Sequence, residues 1–119
     1  MTDSDQNGSS VLEAVCTAMI RLHKEQFGRG PTRARAYFNG ADGLTCVLQE
    51  VLLPAERKLV ELGDAERVRE ARVAFQAATE DEFTSAVTEI LGRDVQAFAS
   101  GVDPINDVIF ENFMLAPRS

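Results

Sequence analysis

The 119-residue sequence has little of the chemistry on which most enzymes and metal sites depend, since it holds one histidine, two cysteines and no tryptophan. Long apolar runs are also missing. Charged residues such as Arg21 and Glu50 interrupt every stretch that approaches the roughly 18 residues of a membrane-spanning helix, so we expect no direct membrane insertion. Residues 1–10 are polar and carry neither the basic nor the apolar part of a secretion signal, and we expect a cytoplasmic location.

Positive charge is scarce overall. The chain has 12 Lys and Arg against 19 Asp and Glu, which gives a net charge of −7 and an isoelectric point near 4.6. An acidic surface repels nucleic acids and anionic membranes, so we expect no nucleic-acid partner. Residues 21–35 are the exception: five basic residues against Glu25 give this segment a charge of +4.

The few candidate catalytic and metal-binding residues favour structural roles. Cys16 and Cys46 lie in apolar periodic segments, which is typical of buried thiols in a reducing compartment and not of a disulfide. His23 shares a helical face with Cys16 and Phe27, and we predict a histidine satisfied at the edge of the core. No nucleotide-binding, hydrolase or redox motif is present. We therefore predict no catalytic, cofactor-binding or metal-ligating residues, while paired carboxylates leave an enzymatic role open.

Helical periodicity and capping signals predict four helices. Ser10 and Glu13 have the spacing of a capping box before a wide apolar stripe, and Gly28 follows the stripe as a helix-ending residue. Thr79–Glu82 has the spacing of a second capping box, and its acidic residues suit a helix N-terminus better than a metal site. The predicted helices span residues 10–28, 54–62, 65–78 and 80–91.

Alternating patterns predict two β-hairpins, over residues 32–51 and 94–115. In the first, Arg33 and Arg35 lie on the face opposite Ala34. In the second, Val95, Ala97 and Ala99 share one face, before a long apolar strand.

Together these elements predict an α+β two-layer sandwich: about four mainly antiparallel strands in two hairpins with about four helices, in the order α-β-β-α-α-α-β-β. We expect a single domain over residues 10–115, a disordered N-terminal tail over 1–9 and a frayed tail over 116–119. The unit helix, Gly-Arg, strand, turn, strand occurs at 10–51 and again at 79–115. A duplication is one explanation, and a shared local motif is the favoured alternative.

Three segments carry a resemblance to a known family: Leu-His-Lys-Glu-Gln-Phe-Gly-Arg-Gly-Pro at 22–31, Leu-Leu-Pro-Ala-Glu-Arg-Lys-Leu at 52–59, and residues 69–75. The sequence over 11–115 resembles the MpsC-like domain, a small bacterial family of unknown function. The resemblance implies a link to a sodium-translocating, membrane-potential-generating system, with no reaction attached to the domain itself. The family usually has Thr at the position of Leu53, so we expect the second helix to lack a side-chain N-cap.

The candidate binding site is formed by Gly28, Arg29, Gly30, Arg33 and Arg35. Glycines let backbone N–H groups turn toward an anion, and three arginines could hold a phosphate, carboxylate or bicarbonate. The favoured alternative is structural: Gly28 caps the helix, Gly30 lies in a rigid turn, and the arginines neutralise the acidic helices of the chain.

We therefore predict a non-enzymatic accessory or interaction module with an unknown protein partner, and the alternative is a small-anion-binding sensor or regulator that uses the arginine loop. A homodimer is expected because the C-terminal segment holds more large apolar residues than one sheet face buries. These residues are Phe98, Val108, Ile109, Phe110, Phe113 and Met114.

Overall fold

A computed structural model describes residues 3–118 of the chain, with side chains from residue 8 onward. Over these residues, four helices and four strands follow the predicted order, and the strands form one antiparallel sheet of order β1-β2-β4-β3. This confirms the α+β fold and both hairpins. The elements are α1 (Asp3–Phe27), β1 (Arg33–Asn39), β2 (Gly43–Gln49), α2 (Pro54–Glu61), α3 (Ala65–Ala78), α4 (Glu80–Leu91), β3 (Val95–Asp103) and β4 (Val108–Leu115).

Helix α1 begins earlier than predicted. It starts at Asp3, so Ser10 lies inside the helix and does not cap it. Residues 3–9 contain no proline that would interrupt a helix, and aspartates near the N-terminus suit the helix dipole. The helix can therefore extend from Ser10 back to Asp3. Residues 1 and 2 of the predicted N-terminal tail and residue 119 of the C-terminal tail lie outside the described residues.

An irregularity in β3 changes its predicted faces. Val95 and Ala97 lie opposite neighbouring residues of β4, so Gln96 is an extra residue between them. One extra residue reverses the alternation that follows it. Phe98 therefore packs against the core, whereas Ala97 and Ala99 are exposed. The predicted shared face of Val95, Ala97 and Ala99 is wrong beyond this bulge.

The helices cover one face of the sheet. Helix α1 contacts β1 and α4, while α3 and α4 contact β3. The core between the layers is formed by Val15, Ala18, Met19, Leu22, Leu44, Cys46, Leu48, Val51, Leu52, Val68, Phe83, Val87, Ile109, Phe113 and Leu115. We call the opposite side of the sheet the outer face, which includes Arg33, Arg35, Tyr37, Thr45, Val47, Ala97, Ala99, Gly101, Phe110, Asn112 and Met114.

The two predicted helix–hairpin units lie side by side. Helix α1 contacts α4, and β2 pairs with β4. Two copies of one α-β-β unit related by a two-fold axis would give this strand order, so the topology is compatible with a duplication. The Gly-Arg pairs of the two units differ in their contacts. Arg93 donates hydrogen bonds to the backbone oxygens of Ala41 and Ala116 and to the carboxylate of Asp42, whereas Arg29 makes no such contact among the described residues.

The starts of α2 and α4 have no hydrogen bond from a side-chain N-cap. At α2, Leu53 has no side-chain cap, as expected, and the Glu56 carboxylate accepts a hydrogen bond from the Leu53 N–H at 2.8 Å. Helix α4 begins where predicted, but the Thr79 hydroxyl donates to the Phe75 carbonyl at 2.7 Å and not to the new helix. The predicted start of α4 after Thr79 is therefore confirmed, but the predicted side-chain hydrogen bond of its capping box is wrong.

Asp107 joins the two hairpins at one end of the sheet. Its Oδ1 accepts hydrogen bonds from the N–H groups of Val51 and Leu52 at 2.8 and 2.9 Å. Its backbone oxygen accepts from the Glu50 N–H at 3.0 Å. Asp107 and Glu50 both have left-handed backbone conformations, with φ of 57° and 59°. This carboxylate therefore holds the segment that leads from β2 into α2.

We expect Asp107→Ala to lower the free energy of unfolding by about 1–3 kcal/mol, because two partly buried N–H groups lose their acceptor. Asp107→Asn is the matched control, since asparagine keeps an Oδ1 acceptor and tolerates a left-handed φ. Urea unfolding of the three proteins measures the difference. An alanine variant as stable as the asparagine variant would show that the carboxylate does not hold this segment.

Candidate functional site

The two glycines of the predicted arginine loop serve the turn after α1. Gly28 follows the last residue of the helix with φ of 77°, and its N–H donates to the Lys24 carbonyl at 2.8 Å. This is the helix-ending role that the sequence predicted as the alternative to anion binding. Gly30 has no left-handed φ, but a Cβ there would lie 3.2 Å from both Cγ2 and the carbonyl oxygen of Ile20. A glycine at position 30 therefore lets the loop pack closely against α1.

The arginines of the loop have no internal partner among the described side chains. Arg33 and Arg35 are exposed on the outer face of β1, and Arg29 is partly buried in the loop before it. In the part of the chain with described side chains, no carboxylate lies within 4.0 Å of any of the three. The expectation that they neutralise the chain's own acidic helices finds no support in these contacts.

The outer face combines these charges with apolar side chains. Arg35 lies in register with Val47, which in turn lies opposite Phe110. Tyr37, Phe110 and Met114 are 44%, 42% and 50% exposed. The outer face therefore carries exposed apolar side chains on either side of the hydrogen-bonded pair Thr45 and Asn112, with a positively charged border at β1.

A groove lies beside β1. Its volume is about 480 Å³, and its lining comes from α1 and β1 alone. The inward-facing side chains of Ala34 and Ala36 are small, which leaves space between the strand and the helix. We call this feature the edge groove, and it is lined by Ser9, Leu12, Glu13, Cys16, Thr17, Ala34, Arg35, Ala36 and Tyr37. The groove includes Arg35 and does not include Arg29 or Arg33, so the predicted site residues do not share this concavity.

A buried polar cluster lies between the helices and the sheet. His23 of α1 lies with Nε2 3.2 Å from Oε1 of Glu111 on β4, and Gln76 of α3 donates from Nε2 to the same oxygen at 2.9 Å. These three residues are 1%, 0% and 4% exposed. His23 thus lies in the core itself, and Nδ1 of its ring has no hydrogen-bond partner among the described residues. Because protein surrounds the cluster, its role is to hold α1 and α3 on the sheet.

An ion pair between buried Arg72 and half-buried Glu56 links α3 to α2. Arg72 donates from Nε to Oε2 of Glu56 at 2.7 Å and from Nη2 to Oε1 at 2.6 Å. Its Nη2 also lies 3.2 Å from the Val51 carbonyl, and its guanidinium lies 3.8 Å from the centre of the Phe27 ring. Burial raises the pKa of Glu56, but the hydrogen bonds from Arg72 and the Leu53 N–H outweigh it, so the pKa lies below its ordinary value of 4.5.

Sequence reasoning missed the buried roles of Glu111 and Gln76 and the ion pair of Arg72, although a signal for all three was present. Glu111 has the same strand parity as the core residues Ile109 and Phe113. Arg72 and Gln76 lie at helical spacing from the buried Val68 on α3. Polar residues on a predicted core face indicate a buried polar contact, but their partners lie elsewhere in the chain.

The two cysteines are free, which agrees with the expected absence of a disulfide. Burial raises the pKa of both thiols, and Glu13 adds to the effect at Cys16. Both therefore stay protonated at neutral pH and react slowly. Among the described residues, no group of three or more His, Cys, Asp or Glu side chains is placed to hold a metal ion.

We expect His23→Leu to lower the free energy of unfolding by about 3–5 kcal/mol, because the Glu111 carboxylate then stays buried with Gln76 as its remaining partner. The double variant His23→Leu with Glu111→Leu removes the buried carboxylate as well and should recover part of this loss. Urea unfolding of the wild type, the single variants His23→Leu and Glu111→Leu, and the double variant measures these changes. A double variant that loses the full sum of the two single effects would show that the contact does not couple the two residues.

For the Arg72–Glu56 pair we expect Glu56→Gln to cost about 3 kcal/mol at pH 7, because Arg72 is left as a buried charge with a weaker partner. A carboxylate with a lowered folded pKa stabilises the fold above its unfolded pKa, and this contribution disappears as the pH falls through the folded value. The difference between wild type and variant should therefore be constant above about pH 5 and shrink below the ordinary value of 4.5. Urea unfolding at several pH values checks this, and a pH-independent difference would contradict it.

None of the described helices has the length and apolar character needed to cross a membrane. No curated protein and no solved structure significantly matches the chain. A match to a protein family does cover nearly all of it: the family described as "Na+-translocating membrane potential-generating system (MpsC)" matches residues 8–116. The matched range includes the buried polar cluster, the outer face and the edge groove. This chain therefore belongs to the MpsC family, whose name links it to a Na+-translocating system.

Proposed function

We propose that this chain is a non-enzymatic accessory module of a Na+-translocating membrane-potential-generating system, and that it works by binding an acidic segment of another subunit. One observation carries the proposal. Arg33 and Arg35 are exposed on one strand face with no carboxylate within 4.0 Å among the described side chains, in a chain whose net charge is −7. Two like charges on one strand face repel each other, and an acidic partner would neutralise them.

The other features of the chain support binding over catalysis. The sole histidine, His23, is 1% exposed and contacts Glu111, so it has no access to a substrate. The exposed apolar side chains of the outer face, Phe110 and Met114, are typical of a surface that meets another protein. In this proposal the chain works on the cytoplasmic side of the system, without inserting into the membrane and without binding nucleic acid.

Small-anion sensing by Gly28, Arg29, Gly30, Arg33 and Arg35 is the second candidate, and the same unpaired arginines favour it. Two contacts weaken it: the N–H of Gly28 already donates within α1, and Gly30 packs against Ile20. Calorimetric titration with phosphate and with bicarbonate separates the candidates. Binding of either ion that is lost in the variant Arg33→Glu with Arg35→Glu would favour the sensor.

The test of the proposed function is sedimentation with membrane vesicles. Vesicles are prepared from cells that make the membrane subunits of the system and from cells that lack them. Wild-type chain should sediment with the first kind alone, and the double variant Arg33→Glu with Arg35→Glu should bind about tenfold more weakly. The matched control is Lys24→Glu with Lys58→Glu, because both lysines are exposed on helices away from the outer face and this variant changes the net charge by the same amount. Equal sedimentation with both vesicles, or with neither, would overturn the proposal.

The homodimer stays a prediction, and fewer of the six apolar residues on which it rests are exposed than the sequence suggested. Ile109 and Phe113 are buried inside the domain, and Phe110 and Met114 are the large apolar residues of β4 that remain exposed. Light scattering at micromolar concentration measures the mass of wild type and of Phe110→Glu. A mass of twice 13.0 kDa that falls to 13.0 kDa in the variant would show that a second copy, and not another subunit, covers the outer face.

A further inference from the structure

Strand β1 has an open edge. It pairs with β2 over its whole length, from Arg33 opposite Gln49 to Asn39 opposite Gly43. On its other side the described sheet has no strand. Alternate residues of an antiparallel strand turn their N–H and C=O groups to each side, so β1 presents unpaired backbone groups along this edge.

The edge groove follows this open edge. Inward-facing Ala34 and Ala36 and outward-facing Arg35 and Tyr37 all line it, which places the groove along the border of the strand. A further strand would lie about 4.8 Å from β1, within this space. Its inward side chains would meet a wall of α1 that includes Leu12, Glu13 and Cys16. Because the Glu13 carboxylate repels an acidic residue, small apolar residues fit these inward positions.

The arginines beside the groove determine which residues suit the outward-facing positions of such a strand. Arg33 and Arg35 lie two residues apart on the outer face, and the residues directly opposite them on an added strand are also two apart. Both arginines are exposed, with no carboxylate within 4.0 Å among the described side chains. Acidic residues at alternate positions would therefore pair with both.

A second copy of β1 fits this edge less well. Antiparallel self-pairing over the whole strand, centred on Ala36, places Arg35 opposite Tyr37 and Arg33 opposite Asn39, so neither arginine gains a carboxylate. Pairing centred on Ala34 places Arg33 opposite Arg35, and pairing centred on Arg35 places that residue opposite itself. Like charges directly opposite each other destabilise a sheet. An acidic segment of another chain avoids this repulsion and gains ion pairs instead.

We propose that the edge groove binds an extended segment in which acidic and small apolar residues alternate, and that this segment adds to the sheet as a fifth strand beside β1. The inference rests on the proposed function and specifies the shape and sequence pattern of the segment that the module binds. Backbone hydrogen bonds along β1 supply affinity, and the alternating side chains supply selectivity.

The test uses a synthetic peptide of alternating Glu and Val that is as long as β1, which has seven residues. Fluorescence anisotropy at low salt should show binding to wild type and to the control variant Lys24→Glu with Lys58→Glu, and about tenfold weaker binding to Arg33→Glu with Arg35→Glu. A peptide of the same sequence, N-methylated at the alternate residues whose N–H groups would face β1, keeps the charges and loses those backbone donors. It should bind about tenfold more weakly if the peptide adds as a strand. Equal binding of the two peptides would overturn strand addition.

Cys16 reports whether the peptide occupies the edge groove. It lines the groove and is partly exposed, whereas Cys46 is fully buried and stays silent as an internal control. Saturating peptide should slow alkylation of Cys16 by iodoacetamide about tenfold. An unchanged rate with peptide bound would place the peptide elsewhere and overturn the groove.

The outcomes for the two proposals are distinct. Wild type that sediments with the vesicles but ignores the peptide would leave the accessory function standing and refute strand addition. Peptide binding that protects Cys16, together with failure to sediment with the vesicles, would support the groove and refute the link to the membrane subunits.

Discussion

The carboxylate of Glu111 fixes the helix layer on the sheet. One of its oxygens meets both His23 and Gln76, and so joins α1, α3 and the central strand β4. Helix α3 depends on such contacts more than most helices, because two of its three buried residues are polar, and Val68 is the third. Hydrogen bonds are directional, whereas apolar packing tolerates sliding, so this cluster fixes the orientation of α3 as well as its position. The position of α1 in turn sets one wall of the edge groove.

Helix ends that depend on one or two adjacent residues, such as a glycine with positive φ, were predictable from the sequence. Gly63 and Gly92 end helices with positive φ, and the bounds of α3 and α4 match the predicted ones. The faces of β3 were not predictable in this way. The extra residue Gln96 is defined by pairing with β4, and no local pattern marks it. At the start of α1, the sequence has a capping pattern at Ser10, but the helix continues through it to Asp3. The residues of a capping pattern cost little free energy inside a helix, so the pattern does not by itself mark the helix start.

The same distinction divides the candidate site. The exposed arginines of β1 were predictable, since local charge and alternation identify Arg33 and Arg35 together on one face. The edge groove was not, because it needs α1 to lie beside β1. In the buried cluster, His23 contacts Glu111, which lies 88 positions away in the sequence. The alternation of β4 shows that Glu111 faces the core, but it does not identify the residue that Glu111 contacts there.

The strand order has a consequence for how the protein is made. β4 leaves the ribosome after β1, β2 and β3, yet it lies between β2 and β3 and supplies the partner for both. Until it emerges, the growing chain holds one complete hairpin, a β3 segment without a pairing partner, and core residues of β2 such as Leu44 and Leu48 that lack the β4 side of their packing. Sheet formation depends on contacts distant in sequence, and these are the slow ones to form. Until β4 emerges, the exposed apolar surface of β2 and β3 is prone to aggregation, and the arrival of β4 gives both strands their shared partner.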